Sequence, residues 1–184
     1  AQSWTDIRQA LLGHPTEDLL ERARLLGLAV ADATRLPKGP ANWMGVQRIR
    51  APGSSPQRAP RVIDLSSLWA GPLCSRLWQA AGAEVIKIES RLRPDGGRRG
   101  SAEFFDLLNA GKTELTLDLH TADGRQALRE LILHADIVLE ASRPRALRQM
   151  GLYAEELLRA KPGLTWVSIT GYGRGAPQEN WIAY

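Results

Sequence analysis

Short unbroken apolar runs alternate with amphipathic segments between residues 61 and 170. The first run, at residues 62–65, is followed by a polar turn and then by an amphipathic segment at residues 70–81. Gly82 ends that segment, and a second apolar run follows at residues 85–88. Strand, helix and strand in this order predict a βαβ unit, whose two strands must be parallel and joined by a right-handed crossover.

The same alternation continues through the rest of this region. Further strands are predicted at residues 112–119, 136–140 and 164–170, and helices at residues 103–109, from 121 onward, and at 146–150 and 154–160. In the first of these helices we expect four side chains to face inward, those of Phe104, Phe105, Leu107 and Leu108. The pattern predicts an α/β domain with a mostly parallel sheet and flanking helices.

The first third of the chain has a different pattern. Residues 1–36 carry the periodicity of two short helices, which predicts a small helical segment. Residues 37–60 are rich in proline and glycine and keep no hydrophobic period, which is typical of a linker or an irregular wrapping segment. We therefore expect the α/β domain to occupy residues 61–184 and to be incomplete at its C-terminal end, where no terminating element is recognisable.

Composition places the chain among ordinary globular proteins. Its 184 residues are 43% hydrophobic and 24% charged, which suits one compact domain, or one domain with a small appendage. No apolar run is long enough to span a membrane, and charged residues interrupt the N-terminus where a signal peptide would be apolar. The single cysteine cannot form an internal disulfide, so we expect a reducing, cytoplasmic location and no membrane partner.

The charge balance favours an anionic partner. The net charge is +4 and the isoelectric point about 9.6, which fits either nucleic acid or a phosphorylated small molecule. Outside the loop at residues 91–99 the basic residues are scattered, and no nucleic-acid-binding motif is present, so we expect no nucleic-acid partner. The arginines of that loop fit two interpretations, a solvated loop or a lip that faces phosphate groups.

Most familiar catalytic motifs are absent from the sequence. The three histidines are far apart and Cys74 has no partner at ligand spacing, so we expect no metal site. Cys74 is better explained as a small apolar filler than as a reactive thiol. The first strand is followed by SSLWAGP, which is neither a dinucleotide fingerprint nor a phosphate-binding loop. In a parallel sheet, a ligand is expected beyond the carboxyl ends of the strands, near residues 66–72 and 89–91.

Four segments, taken in order, resemble the family III CoA-transferases of the CaiB/BaiF type. They are VIDLSSLWAGPLCSRLWQAAGAEVIKIE, LNAGKTELTLDLHTADGRQAL, ADIVLEASRPRALRQMGL and the run from Pro162 to Gly173. The family includes formyl-CoA transferase, the carnitine CoA-transferases and α-methylacyl-CoA racemase. Residues 1–36 resemble its C-terminal helical region, so the chain resembles a segment of a longer member. The resemblance implies a Rossmann-like domain across which CoA lies.

The resemblance also implies a reaction. In such enzymes an aspartate attacks the acyl-CoA thioester to form an acyl–aspartyl anhydride, and CoA is then moved to a carboxylic acid acceptor. The family's aspartate, in a Gly-Asp motif, would lie beyond Tyr184, and no aspartate of this chain matches it. The resemblance therefore implies a transferase that acts on acyl-CoA and a carboxylic acid, forms a homodimer and needs no cofactor, whereas this chain alone would be inactive. A non-catalytic CoA-binding or scaffold module and a racemase-like member remain alternatives.

The resemblance assigns CoA contacts to fourteen residues. In chain order these are Ser67, Leu68, Trp69, Ala70, Gly71, Arg91, Leu117, Asp118, Leu119, His120, Ala141, Arg143, Gln149 and Met150. The first five would lie near the pantetheine and thioester end of CoA, and Arg91 would lie near its phosphates. Residues 117–120 would line the adenine, and the remaining four would form a further wall of the CoA site. Several polar contacts of the family are missing, because Trp69, Ala141 and Gln149 stand where it often has polar or basic residues.

Overall fold

The computed structural model describes residues 3–35, 43–49 and 57–183 of the chain. It divides into two compact units, one formed by Ala1–Val46 with Gly171–Tyr184 and the other by Gln47–Thr170. Part of the predicted linker, residues 37–42 and 50–56, lies outside the described residues. The domain boundaries predicted on either side of the linker stay predictions. Among the described residues, no helix has the length and apolar character needed to cross a membrane.

The smaller unit contains helix α1, Trp4–Leu11, and helix α2, Thr16–Leu25. Ser3 caps α1 through a reciprocal pair of hydrogen bonds with Asp6, which satisfies amides that the helix leaves free. The guanidinium of Arg24, on α2, lies 3.7 Å from the ring centre of Trp181. A cation–π contact therefore joins α2 to the last residues of the same unit.

The larger unit is built on five parallel strands. They are β1 (Arg61–Leu65), β2 (Glu84–Ser90), β3 (Thr113–Leu117), β4 (Ile137–Glu140) and β5 (Thr165–Ser168). Their spatial order is β3-β2-β1-β4-β5, and every neighbouring pair is parallel. This arrangement confirms the predicted α/β class with a Rossmann-like sheet, and here the sheet is wholly parallel.

Helices connect the strands. They are α3 (Ala70–Ala80), α4 (Ala102–Asn109), α5 (Ala122–Leu133), α6 (Pro144–Gln149) and α7 (Ala154–Ala160). The hydroxyls of Ser101 and Thr121 cap α4 and α5, which explains where those two helices begin. The core lies against the central strands, where Ile63, Leu128 and Val138 are fully buried.

One sequence-based prediction for α4 is wrong in part. Phe105 and Leu108 are buried as predicted, whereas Phe104 and Leu107 are exposed. A helix turns about 100° per residue, so one narrow stripe cannot bury all four of these nearly consecutive side chains. The exposed pair faces away from the core.

The order in which the chain adds strands reverses once within the sheet. From β1 the chain adds β2 and β3 on one side, then returns to add β4 and β5 on the other. The reversal falls between β1 and β4, whose carboxyl ends therefore diverge into connections that leave in opposite directions. Open parallel sheets bind ligands at such a switch point.

Candidate functional site

Most of the residues predicted to contact CoA lie just beyond the C-terminal ends of the strands. We call this end of the sheet its carboxyl edge. Because all five strands are parallel, the segments that follow them lie along the same edge in the order of the strands. Residues 118–120 follow β3, Arg91 follows β2, residues 66–71 follow β1 and residues 141–143 follow β4. The fold thus places four separate segments of sequence side by side. Whether they bind CoA stays a prediction.

The remaining predicted residues are less available to a ligand. Leu117, Leu119 and Met150 are partly buried and pack against the hydrophobic core. Gln149 is exposed at the C-terminal end of α6, and Met150 caps that end. Much of the side-chain surface of these apolar residues is therefore used by the fold itself.

The β1–α3 turn, residues 66–71, has an unusual backbone. Leu68 has a φ of +69°, the left-handed region that side chains other than glycine rarely adopt. Its amide donates a hydrogen bond to Asp95 Oδ1 at 2.9 Å. A Cβ at position 71 would lie 2.1 Å from the Cβ of Ser66, so only glycine allows the turn to close this tightly. The turn is therefore strained and specifically held.

The outer face of this turn is open. Leu68 and Trp69 are 61% and 63% exposed, and the ring of Trp69 meets Phe104 edge-on at 5.9 Å between ring centres. Ser67 and Ala70 are exposed as well. The turn thus offers a small apolar platform beside exposed backbone, a surface suited to an extended chain of alternating amide and methylene groups.

A buried ion pair lies beneath the turn. Lys87 Nζ is 2.8 Å from Asp95 Oδ2, and neither side chain is exposed to solvent. Lys87 also donates to the carbonyl of Ser66 at 3.0 Å, and Asp95 Oδ1 accepts from the amide of Gly97 at 2.8 Å. Burial alone would raise the pKa of Asp95, but hydrogen bonds from Lys87 and the two amides hold that pKa below its ordinary value.

A second buried network fixes the start of α3. Asp64 is fully buried and accepts hydrogen bonds from Ser66, Ser75 and Lys112. Lys112 Nζ also donates to the carbonyl of Pro72 at 2.9 Å. Burial lowers the pKa of Lys112, although Asp64 acts in the opposite direction. Both carboxylate oxygens of Asp64 accept hydrogen bonds and are closed to solvent, which indicates a structural role for this aspartate.

The arginine loop, residues 91–99, is only partly free to meet an anion. Arg98 forms ion pairs with Glu89 and Glu114, both at 2.6 Å, and its guanidinium lies over the ring of Phe105. Hydrogen bonds to these carboxylates, first to Glu89, raise its pKa. Arg91 pairs with Asp118 but is 66% exposed. Arg98 therefore shapes the loop, and Arg91 is the better placed of the two to meet a phosphate.

Glu140 fixes the C-terminal end of β4, on the other side of β1 from β2. This carboxylate, at the end of β4, is only 1% exposed. It accepts hydrogen bonds from Trp166 Nε1 at 3.0 Å, Ser168 Oγ at 2.9 Å and Ser142 Oγ at 3.1 Å. The backbone that carries Ala141 is thereby fixed relative to β5.

Sequence reasoning did not single out Lys87 or Asp95. A usable signal was present, because Lys87 interrupts the apolar run of β2 between Ile86 and Ile88, where a strand covered on both faces has no place for an unpaired charge. Such a lysine needs a buried partner, yet the sequence alone does not say which acidic residue supplies it. No cluster of metal-ligating side chains occurs in the part of the chain that the structure describes.

Comparison with known proteins identifies the family. The model of CoA-transferase family III matches residues 59–184, more than half of the chain, and the chain belongs to this family. It is 36% identical over 136 residues to succinyl-CoA–D-citramalate CoA-transferase of Chloroflexus aurantiacus, an alignment that covers 67% of this chain and 34% of that protein. It is 33% identical over 138 residues to formyl-CoA:oxalate CoA-transferase of Escherichia coli, covering 71% and 33%.

Solved structures agree with the sequence comparison. A CaiB/BaiF family protein from Brucella suis superimposes with a TM-score of 0.63 at 32% identity, over 72% of this chain and 38% of that one. A protein from Mycobacterium tuberculosis also superimposes with a TM-score of 0.63 at 32% identity, over 71% of this chain and 38% of that one. The chain thus spans about a third of the length of the curated relatives it matches.

Proposed function

We propose that this chain forms the CoA-binding part of a CoA-transferase that moves CoA between an acyl-CoA and a carboxylic acid. The observation that carries the proposal is the match of residues 59–184 to CoA-transferase family III, on a fold whose open sheet edge gathers the predicted contact residues. The names of the relatives, which include succinyl-CoA and formyl-CoA transferases, support a thioester and a carboxylic acid as the two substrates.

In this proposal CoA lies along the carboxyl edge of the sheet. The open turn at residues 67–71 meets the pantetheine arm, and Arg91 meets a phosphate by leaving its exposed pairing with Asp118. Residues 117–120 receive the adenine at the other end of this edge. Such a path uses the segments after β1, β2 and β3, which are consecutive neighbours in the sheet.

The chemistry needs a nucleophile from elsewhere. An aspartate carboxylate outside this chain would attack the acyl carbonyl carbon, forming a C–O bond while the C–S bond breaks and CoA leaves as the thiolate. Amides near the turn would stabilise the negative charge that develops on the carbonyl oxygen. Asp64 cannot serve as this nucleophile, since its buried oxygens are occupied by Ser66, Ser75 and Lys112.

Calorimetry and a transfer assay on the 184-residue chain test the two halves of the proposal. We expect CoA to bind, and we expect no transfer of CoA from succinyl-CoA or formyl-CoA to an acid. Absence of binding heat at millimolar CoA would contradict the proposed CoA site. Clear turnover would contradict the proposal that the nucleophile lies elsewhere. In the complete protein we propose a cytoplasmic homodimer.

A non-catalytic module of the same fold is the second candidate. It is favoured by three residues, Trp69, Ala141 and Gln149, which stand where the family often has polar or basic residues. The two functions differ in the polypeptide that accompanies this chain, since only a transferase requires the Gly-Asp nucleophile. A racemase-like member would instead require an acid and a base from that polypeptide.

A further inference from the structure

We propose that the buried Lys87–Asp95 ion pair is a positioning device that holds the β1–α3 turn and the arginine loop in one arrangement, the arrangement that binds CoA. This inference rests on the proposed function. It assigns to two residues, neither of which faces the open edge, control over the geometry of the residues that do.

The pair connects three segments of the chain through side-chain hydrogen bonds. Lys87 comes from within β2, Asp95 from the arginine loop, and the carbonyl of Ser66 and the amide of Leu68 from the turn. Lys87 therefore holds the carbonyl of Ser66, and Asp95 holds the amide of Leu68, on either side of residue 67. The turn cannot move away from the sheet without breaking charge-assisted hydrogen bonds in a buried setting.

The same pair extends into the arginine loop. The amide of Asp95 donates to Glu89 Oε2 at 2.8 Å, and Glu89 in turn accepts hydrogen bonds from Nε and Nη2 of Arg98. Asp95 also accepts from the amide of Gly97, which starts the short helical turn at Gly96–Arg99. The proposed pantetheine and phosphate ends of the site are therefore linked through one carboxylate.

Energetics favour a positioning role over a merely stabilising one. A buried ion pair contributes little to stability relative to well-packed apolar residues, because both charges lose their hydration. The left-handed backbone at Leu68 costs further free energy, and it persists only where the surroundings impose it. What the pair supplies is a single, fixed arrangement of the turn, which spares CoA the entropic cost of ordering it.

The test is CoA affinity in the 184-residue chain with the double substitution Lys87→Met/Asp95→Ala. This variant leaves no unpaired buried charge, so we expect its larger unit to unfold as cooperatively as that of the unchanged chain. We expect its dissociation constant for CoA to rise about tenfold or more, because the turn must now be ordered upon binding. Hydrogen exchange at the amides of Leu68 and Gly97 should accelerate in the same variant.

A second variant and a matched control keep the test sharp. Lys87→Met/Asp95→Asn preserves the shape of residue 95 and an acceptor for the Leu68 amide and leaves no unpaired buried charge, so we expect a smaller loss of affinity than in Lys87→Met/Asp95→Ala. The control is Glu84→Gln, which breaks the exposed 3.1 Å pair with Arg61 at the opposite end of the same β1–β2 ladder. We expect that substitution to leave CoA affinity unchanged.

Two outcomes would overturn the inference, and each is distinct from failure of the proposed function. The first is a folded Lys87→Met/Asp95→Ala chain that binds CoA as tightly as the unchanged chain. The second is unaltered hydrogen exchange at Leu68 and Gly97 in that variant, a readout that needs no CoA. If the unchanged chain binds no CoA, the proposed function fails, while the exchange measurement still decides whether the pair holds the turn.

Discussion

At the scale of single residues, the site is defined more by backbone shape than by reactive side chains. Leu68 is held in a left-handed conformation, and Gly71 makes room for Ser66. The charged groups beneath them, Asp64 and Lys112, are occupied by buried hydrogen bonds and are closed to a substrate. A surface of this kind is suited to binding and orienting a substrate rather than to attacking it.

The substitution Gly71→Ala tests how tightly the turn closes. An added Cβ would lie 2.1 Å from the Cβ of Ser66, so the turn or the first turn of α3 must shift. We expect a loss of about 1–3 kcal/mol in the free energy of unfolding, the usual cost of overpacking a close contact. Denaturant unfolding followed by circular dichroism measures it.

Gly175→Ala is the control for that experiment, because a Cβ at position 175 meets nothing within 4 Å. It should leave the unfolding free energy nearly unchanged. Equal stabilities for the two alanine variants would mean that the turn is looser than its geometry indicates.

The sequence predicts such residues unevenly. It locates the turn and its glycine, because SSLWAGP separates an apolar run from an amphipathic one. It does not predict the left-handed Leu68 or the partnership of Lys87 with Asp95, since both depend on contacts between segments that only the folded sheet brings together. The four arginines of the loop look equivalent in sequence, yet Arg98 is bound to two carboxylates.

At the scale of elements, strands and helices follow their local signals closely. The apolar runs of β1, β2 and β4 become largely buried strands, hydroxyl caps start α4 and α5, and a Pro sits at the first residue of α6. The misjudged element is α4, where hydrophobic content alone does not reveal which side faces the core. The order of the strands is not encoded in any local pattern, and it emerges from how the helices cover the two faces.

Asp136 joins two elements at the opposite edge of the sheet. Just before β4, its side chain accepts hydrogen bonds from the amide of Arg61 and the guanidinium of Arg58, both at 2.8 Å. Burial would raise the pKa of Asp136, but these hydrogen bonds lower it overall. A carboxyl with a lowered folded-state pKa contributes stability that is present above its unfolded pKa and is lost as the pH falls through the folded one.

The substitution Asp136→Asn should therefore reveal a pH-dependent contribution. At pH 7 we expect the variant to lose about 1–2 kcal/mol in the free energy of unfolding, since it loses a charge-assisted hydrogen bond. The difference from the unchanged chain should shrink as the pH falls from about 4 through the lowered folded-state pKa, below which the aspartate is protonated in both states. Thermal unfolding across a pH series measures it.

Asp106→Asn, at an exposed position of α4, is the control and should leave the free energy of unfolding at pH 7 nearly unchanged. A gap between the Asp136→Asn variant and the unchanged chain that stays constant down to pH 2 would contradict the assigned role of this carboxylate.

At the scale of the whole molecule, the five-stranded sheet lies within the residues that match CoA-transferase family III. The chain matches about a third of each relative, and that third contains the sheet whose carboxyl edge is proposed to bind CoA. Sequence motifs predicted this family, because four segments occur in the family's order. They could not show how the segments meet, which follows from five parallel strands that present their carboxyl ends at one edge.

The most direct test is to locate CoA on the 184-residue chain by two-dimensional NMR, for which a 20.2 kDa protein is well suited. Titration with CoA should shift the amides of residues 67–71, Arg91 and His120, which share the carboxyl edge of the sheet. Amides at the opposite edge, such as those of Ala83 and Asp136, should stay in place. Shifts confined to that opposite edge, or no shifts at saturating CoA, would contradict the proposed site.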